Sequence, residues 1–179
     1  MKQDRSISIA DQIPKLEETL GIEVGFFNKL SDEEDWALII KLHALIESAV
    51  SELLTAAFNN TSLKDTFSML ELSNKRTGKM AFINALGLLG DAERRYISSL
   101  SELRNKLVHN IKNVNYQLHE EVEKMDKQQF QRFVHNYNTL ATDVDDNIRN
   151  LFRHDPCQAL WYGGMSVLGM IYLKHKGQV

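Results

Sequence analysis

The stretch that decides the fold is DAERRYISSLSELRNKLVHN, residues 91–110. Tyr96, Leu100, Leu103 and Leu107 recur at i, i+4, i+7 and i+11. That spacing lays an apolar stripe along one face of a helix. Asp91 sits where a helix of this register starts, and Gly87 and Gly90 precede it as breakers. The stretch therefore reads as an amphipathic helix from Asp91 to His109 or Asn110.

The same reading extends outward in both directions. Upstream, helices are expected over roughly Lys75–Leu86 and Leu63–Leu72. A long helix is expected from Asp32 to about Phe58, with Ile39, Leu42, Ile46, Ala49, Leu53 and Ala57 at helical spacing. Ser31-Asp-Glu-Glu34 has the form of a capping box opening that helix. Before it lie a glycine-bearing connector to Leu30 and a weak helix over about Ile9–Leu20. Downstream, residues 111–125 are polar and without a clear period. Asp126–Gln129 forms a second capping box, opening a helix expected to reach about Phe152, and Asp155-Pro156 starts a last helix ending near Lys174. With two prolines and no period-two pattern, the expectation is an all-α bundle: residues 1–30 as an N-terminal extension with a short helix, and 31–179 as one helical domain with extra C-terminal helices.

The chain has 179 residues, 43% hydrophobic and 25% charged, enough to build one core and too apolar for wholesale disorder. The lone Cys157 excludes an internal disulfide framework and a multi-cysteine zinc site. The opening MKQDRSISIADQ has no apolar stretch of signal-peptide type, so a reducing, cytoplasmic setting is expected. Cys157 to Leu173 carries no charge; its short length points to burial in the domain or a subunit interface, not to a membrane.

The chemistry concentrates at Glu102-Leu-Arg-Asn-Lys-Leu-Val-His-Asn110. Arg104 offers a rigid fork of donors suited to phosphate. His109 moves a proton near neutral pH, and Asn105 both donates and accepts. Metal-free RNA cleavage needs these groups: a base for the ribose 2′-hydroxyl, an acid for the leaving oxygen and a cation for the phosphorane. At 100° per residue Asn105 and His109 share a face, while Arg104 lies roughly 140° from His109. Either the helix unwinds near His109, or a second subunit supplies its own copy. The bland alternative is an exposed arginine and a histidine that caps helix carbonyls. A second string, Arg149-Asn-Leu-Phe-Arg-His154, has the same spacing but lacks the context of the first.

The string Leu103-Arg-Asn-x-x-Val-His109, preceded by Gly78-Lys79 and Ala85-Leu-Gly-Leu-Leu89, resembles the HEPN superfamily (higher eukaryotes and prokaryotes nucleotide-binding domains). Leu42-His-Ala-Leu-Ile-Glu47 through Leu53-Leu54 and Phe58 looks most like its mannitol-operon-repressor-like bacterial branch. The resemblance covers roughly residues 36–112. It implies a helical bundle that pairs as a homodimer with the motifs facing each other, and metal-independent cleavage of RNA in active members, in a toxin or defence role. By the resemblance, Arg104, Asn105 and His109 are the catalytic set. It equally implies the alternative: a non-catalytic transcriptional regulator or adaptor, with an antitoxin, regulatory protein or nucleic acid as partner.

His43 and Glu47, four apart on the long helix, share a face. Glu47 could pair with Arg104 or orient His109, or the two could form an ordinary surface pair. Lys75, Arg76, Lys79, Arg94, Arg95, Lys106 and Lys112 are candidate contacts for RNA phosphates, each also readable as solvated surface. Gly87-Leu-Leu-Gly90 ends a helix rather than cradling a phosphate, the histidines lack zinc-ligand spacing, and no metal or cofactor is expected. The net charge of −3 argues at first against nucleic acid. It divides unevenly: 6 basic against 13 acidic residues over 1–74, 8 against 3 over 75–112, and 7 against 8 over 113–179. The one basic segment holds the motif.

Overall fold

The computed structural model describes residues 14, 15, 17, 18, 21–141 and 143–177. Among them are nine α-helices and no strand: α1 (Phe26–Ser31), α2 (Asp35–Ala57), α3 (Lys64–Met69), α4 (Lys79–Leu86), α5 (Asp91–Val108), α6 (Leu118–Glu123), α7 (Lys127–Tyr137), α8 (Asp146–His154) and α9 (Pro156–His175). Single 3-10 turns at Thr61–Leu63 and Ile111–Asn115 precede α3 and follow α5. The expected all-α bundle is what the chain forms.

The centre is α2, packed chiefly against α9 and α5. Its stripe of Leu38, Ile39, Leu42, Ile46, Val50, Leu53 and Leu54 is buried, and Tyr96, Ile97, Leu100, Leu103 and Leu107 meet it from α5. The uncharged stretch 157–173 of α9 is buried in the same core through Ala159, Leu160, Val167, Leu168 and Ile171. No helix of the described residues is long and apolar enough to cross a membrane. Gly163 and Gly164 let α9 approach closely. A Cβ on Gly163 would lie 2.7 Å from the Tyr96 ring, and one on Gly164 would lie 2.7 Å from Leu42. The Tyr96 hydroxyl donates to the Leu160 carbonyl at 2.6 Å, tying α5 to α9.

Several expected boundaries differ. Ser31 does not open a capping box; it closes α1, donating to Asn28 O at 2.6 Å. Glu34 precedes α2 without a side-chain cap. The expected connector thus holds a helix, because Phe27 and Leu30 are one helical turn apart and both are buried in the core. The helix expected over Lys75–Leu86 begins only at Lys79, since Asn74 folds 74–78 into a turn by accepting from Arg76 N and Thr77 N. Residues 111–125 hold the second 3-10 turn and α6. The helix expected from Asp126 to Phe152 is two helices. The Asp126–Gln129 capping box opens the first, but Asn138 ends it by accepting from Leu140 N and donating to Ala141 O. Asp145 then caps α8 through Ile148 N at 2.8 Å. Asp155 caps α9 through Gln158 N at 3.1 Å, with Pro156 in the first turn. The weak helix expected over residues 9–20 falls mostly outside the described residues.

Candidate nucleic-acid interface at the end of helix α5

Helix α5 carries Arg104, Asn105 and His109 where the sequence places them, at its C-terminal end. Arg104 and Asn105 are half-buried, and Arg104 Nη1 donates to Asn105 Oδ1 at 3.0 Å. His109 keeps helical backbone angles (φ −78°, ψ −5°), and the chain turns extended only at Asn110 (φ −141°, ψ 114°). Of the two ways of bringing Arg104 and His109 together, unwinding before His109 does not occur.

The carbonyls left open by the end of α5 are taken by another side chain. Asn113 Nδ2 donates to Lys106 O at 3.0 Å and to Leu107 O at 3.4 Å. The His109 side chain is not their cap. It stands exposed with no hydrogen bond among the described residues. Val108, which precedes it in the chain, and Val114, in the 3-10 turn that follows, are also exposed, at 38% and 45% of full exposure.

Behind Arg104 runs a chain of polar groups inside the bundle. Ser101, one turn upstream and buried, donates its hydroxyl to Ile97 O at 2.8 Å. Its oxygen then accepts from His43 Nε2, 3.1 Å away. That assignment puts the proton of the neutral ring on Nε2 and leaves Nδ1 facing Glu47 Oε2 at 4.0 Å. The other Glu47 oxygen accepts from Lys79 Nζ at 2.9 Å. Burial holds the His43 imidazole below its ordinary pKa of 6.5. Glu47 opposes that shift, and the nearby cations Arg104 and Lys79 add to it.

Lys79 is fully buried, at 0% exposure. The sequence reading set it among surface cations for phosphate, and in the fold it faces Glu47 instead. A lysine in the first turn of α4 meets the positive end of the helix dipole, so the Glu47 carboxylate compensates both charge and position. Glu47 pairs with Lys79, not with Arg104 or His109. Sequence reasoning missed Ser101 and the role of Lys79. The available signal was register: Ser101 stands one turn from Ile97, and Lys79 one turn before Ile83, both fully buried.

The other candidate cations divide into groups. Lys75, Arg76 and Lys112 are exposed and form no ion pair among the described residues. Arg94 is paired with Asp91 and donates to Asn84 at 3.0 Å, and Lys106 pairs with Glu121 at 2.7 Å. Arg95 lines a cleft at the opposite end of α5. Among the described residues, clefts of about 1180 and 440 Å³ indent the surface away from the motif, with no lining from Arg104, Asn105 or His109. Among the described residues no group of three or more His, Cys, Asp or Glu side chains is placed to hold a metal ion. Comparison with protein-family models, curated proteins and solved structures finds no match to the chain.

Proposed function

We propose that the chain is a metal-independent endoribonuclease acting as a homodimer, with Arg104, Asn105 and His109 as its working groups. The observation that carries this reading is the His109 side chain. It is exposed and unbonded at the end of α5, while Asn113 does the capping that would otherwise explain a histidine there. On this reading His109 takes the 2′-hydroxyl proton and the freed oxygen attacks the adjacent phosphorus. The 5′-oxygen leaves with a proton from solvent. Arg104 stabilises the phosphorane, and the products carry 2′,3′-cyclic phosphate and 5′-hydroxyl ends.

A second copy is needed because His109 stays helical, which leaves it roughly 140° around the axis from Arg104. Exposed Val108 and Val114 give that copy apolar surface. Lys75, Arg76 and Lys112 remain free to meet RNA phosphates.

One observation favours a non-catalytic regulator or adaptor resembling the mannitol-repressor-like proteins. In a single chain Arg104 is engaged by Asn105, and neither cleft reaches the motif. Ribonuclease assays in EDTA separate the two readings. Cleavage that is lost in Arg104→Ala and His109→Ala and kept in His154→Ala supports the nuclease. No cleavage of any RNA pool, with a stable complex on a partner protein, supports the regulator.

A further inference from the structure

The larger cleft lies at the other end of α5, between its first turn, α7 and α8. Arg95, on its wall, is fourteen residues from His109, roughly 21 Å along the helix. Four cations reach the cleft from three helices: Arg95, Lys127, Arg149 and Arg153. Of its two carboxylates, Asp91 is paired with Arg94, and Glu93 forms no hydrogen bond or ion pair among the described residues.

The cations are less well satisfied. Lys127 and Arg153 form no ion pair among the described residues, and Arg95 Nε is buried with no hydrogen-bond partner. Only Arg149 has a carboxylate, Asp146, at 3.1 Å. A buried guanidinium N–H without an acceptor is uncommon in a folded protein and marks a place where an acceptor fits. The remaining wall is mixed: Phe130, with the Arg153 guanidinium 3.8 Å above its ring centre, Val134 and Val144 give it an apolar strip, and Gln131, His135, Asn138, Thr139 and Asn150 are its polar part. A guanidinium stacked on a ring keeps its N–H groups at its edge, free to hydrogen-bond.

We propose that this cleft binds a small phosphate monoester with a flat, apolar body. The phosphate takes the charge-assisted hydrogen bonds of Arg95, Arg149 and Arg153, with Lys127 at the rim. The body lies along Val134 and Val144 beside the Phe130–Arg153 stack. An apolar strip with a few convergent charged donors suits a small-ligand site. The second arginine–asparagine string finds its use here: Arg149 and Asn150 both line the cleft, far from the motif whose spacing they repeat.

Phenyl phosphate is the probe, titrated into the full chain at constant ionic strength and followed by calorimetry, with inorganic phosphate and phenol alongside. Phenyl phosphate is expected to bind saturably, one per chain, and more tightly than either of the other two. Arg95→Met and Arg153→Met are each expected to weaken it at least about tenfold, the loss of one charge-assisted contact. Arg132→Met, an exposed cation on α7 outside the cleft, is expected to bind as the parent does. Should Arg95→Met fail to fold by circular dichroism, Arg149→Gln at an exposed position carries the same expectation. Absence of saturable binding, or binding unchanged in the folded cleft variants, would overturn the site. Inorganic phosphate binding as tightly as phenyl phosphate would overturn the two-part ligand.

Discussion

Glu47 compensates a buried lysine with one oxygen and faces His43 with the other, so its removal has consequences in two directions. Glu47→Ala leaves Lys79 charged, buried and unpaired. Taking one partner from a buried pair costs about 3 kcal/mol at the lower end of its range, and the lower end applies because the Glu47 side chain keeps 35% exposure. Adding Lys79→Met is expected to recover most of that loss. Urea unfolding of the two single variants and the double variant measures the coupling, and strictly additive losses would contradict the pairing. His43 predicts a pH dependence. Its folded pKa is lowered, so in acid the unfolded chain binds the proton more readily than the folded one. The contribution is fully present above pH 6.5, the ordinary value, and is lost as pH falls toward the lowered one. Thermal unfolding across that window is expected to show a decline that His43→Gln flattens. The sequence showed that His43 and Glu47 share a face. It could not show their partners, because Ser101 and Lys79 reach them only after α4 and α5 have packed on α2.

At the scale of elements, α5 was legible from its stripe because periodicity depends only on local spacing. The C-terminal capping box at Asp126 was legible for the same reason, its two hydrogen bonds lying within four residues. Ser31 misled because two helices compete for it, and burial of Phe27 and Leu30 decides for α1. The end of α7 was hidden because Asn138 acts through Leu140 and Ala141, a turn that helical spacing on either side does not reveal. Close approach of α9 depends on Gly163, where an added methyl would meet Tyr96 and the Tyr137 carbonyl at 2.7 and 2.8 Å. Gly163→Ala is therefore expected to destabilise by about 1–3 kcal/mol, as overpacking does, despite the better helix propensity of alanine. Chemical denaturation checks it; a stabilised variant would contradict the packing. Cys157, in the first turn of α9, has its thiol pushed up by burial and by Asp35. It is expected to resist alkylation at pH 8 in the folded chain and to react in denaturant, read by mass spectrometry.

At the scale of the whole molecule, the cations of the basic segment are divided between the two ends of α5, with Arg104 and Lys106 at the motif end and Arg94 and Arg95 at the other. The basic segment 75–112 ends at the motif, framed by acidic or near-neutral flanks, and the proposed chemistry needs two chains. If Arg104 and His109 act across a two-fold axis, the two inactive single variants complement each other. Refolding Arg104→Ala with His109→Ala as an equal mixture makes half the dimers mixed, each with one intact pair, so about a quarter of the parental activity returns. A site complete within one chain would give none. RNA cleavage in EDTA by the parent and by His109→Ala, its fold verified, decides between a nuclease and a binding module. The parent is expected to cleave RNA to 2′,3′-cyclic phosphate ends, and the variant to lose about 10²- to 10⁴-fold, the contribution of a general acid–base group. Undiminished cleavage by the folded variant would contradict that role.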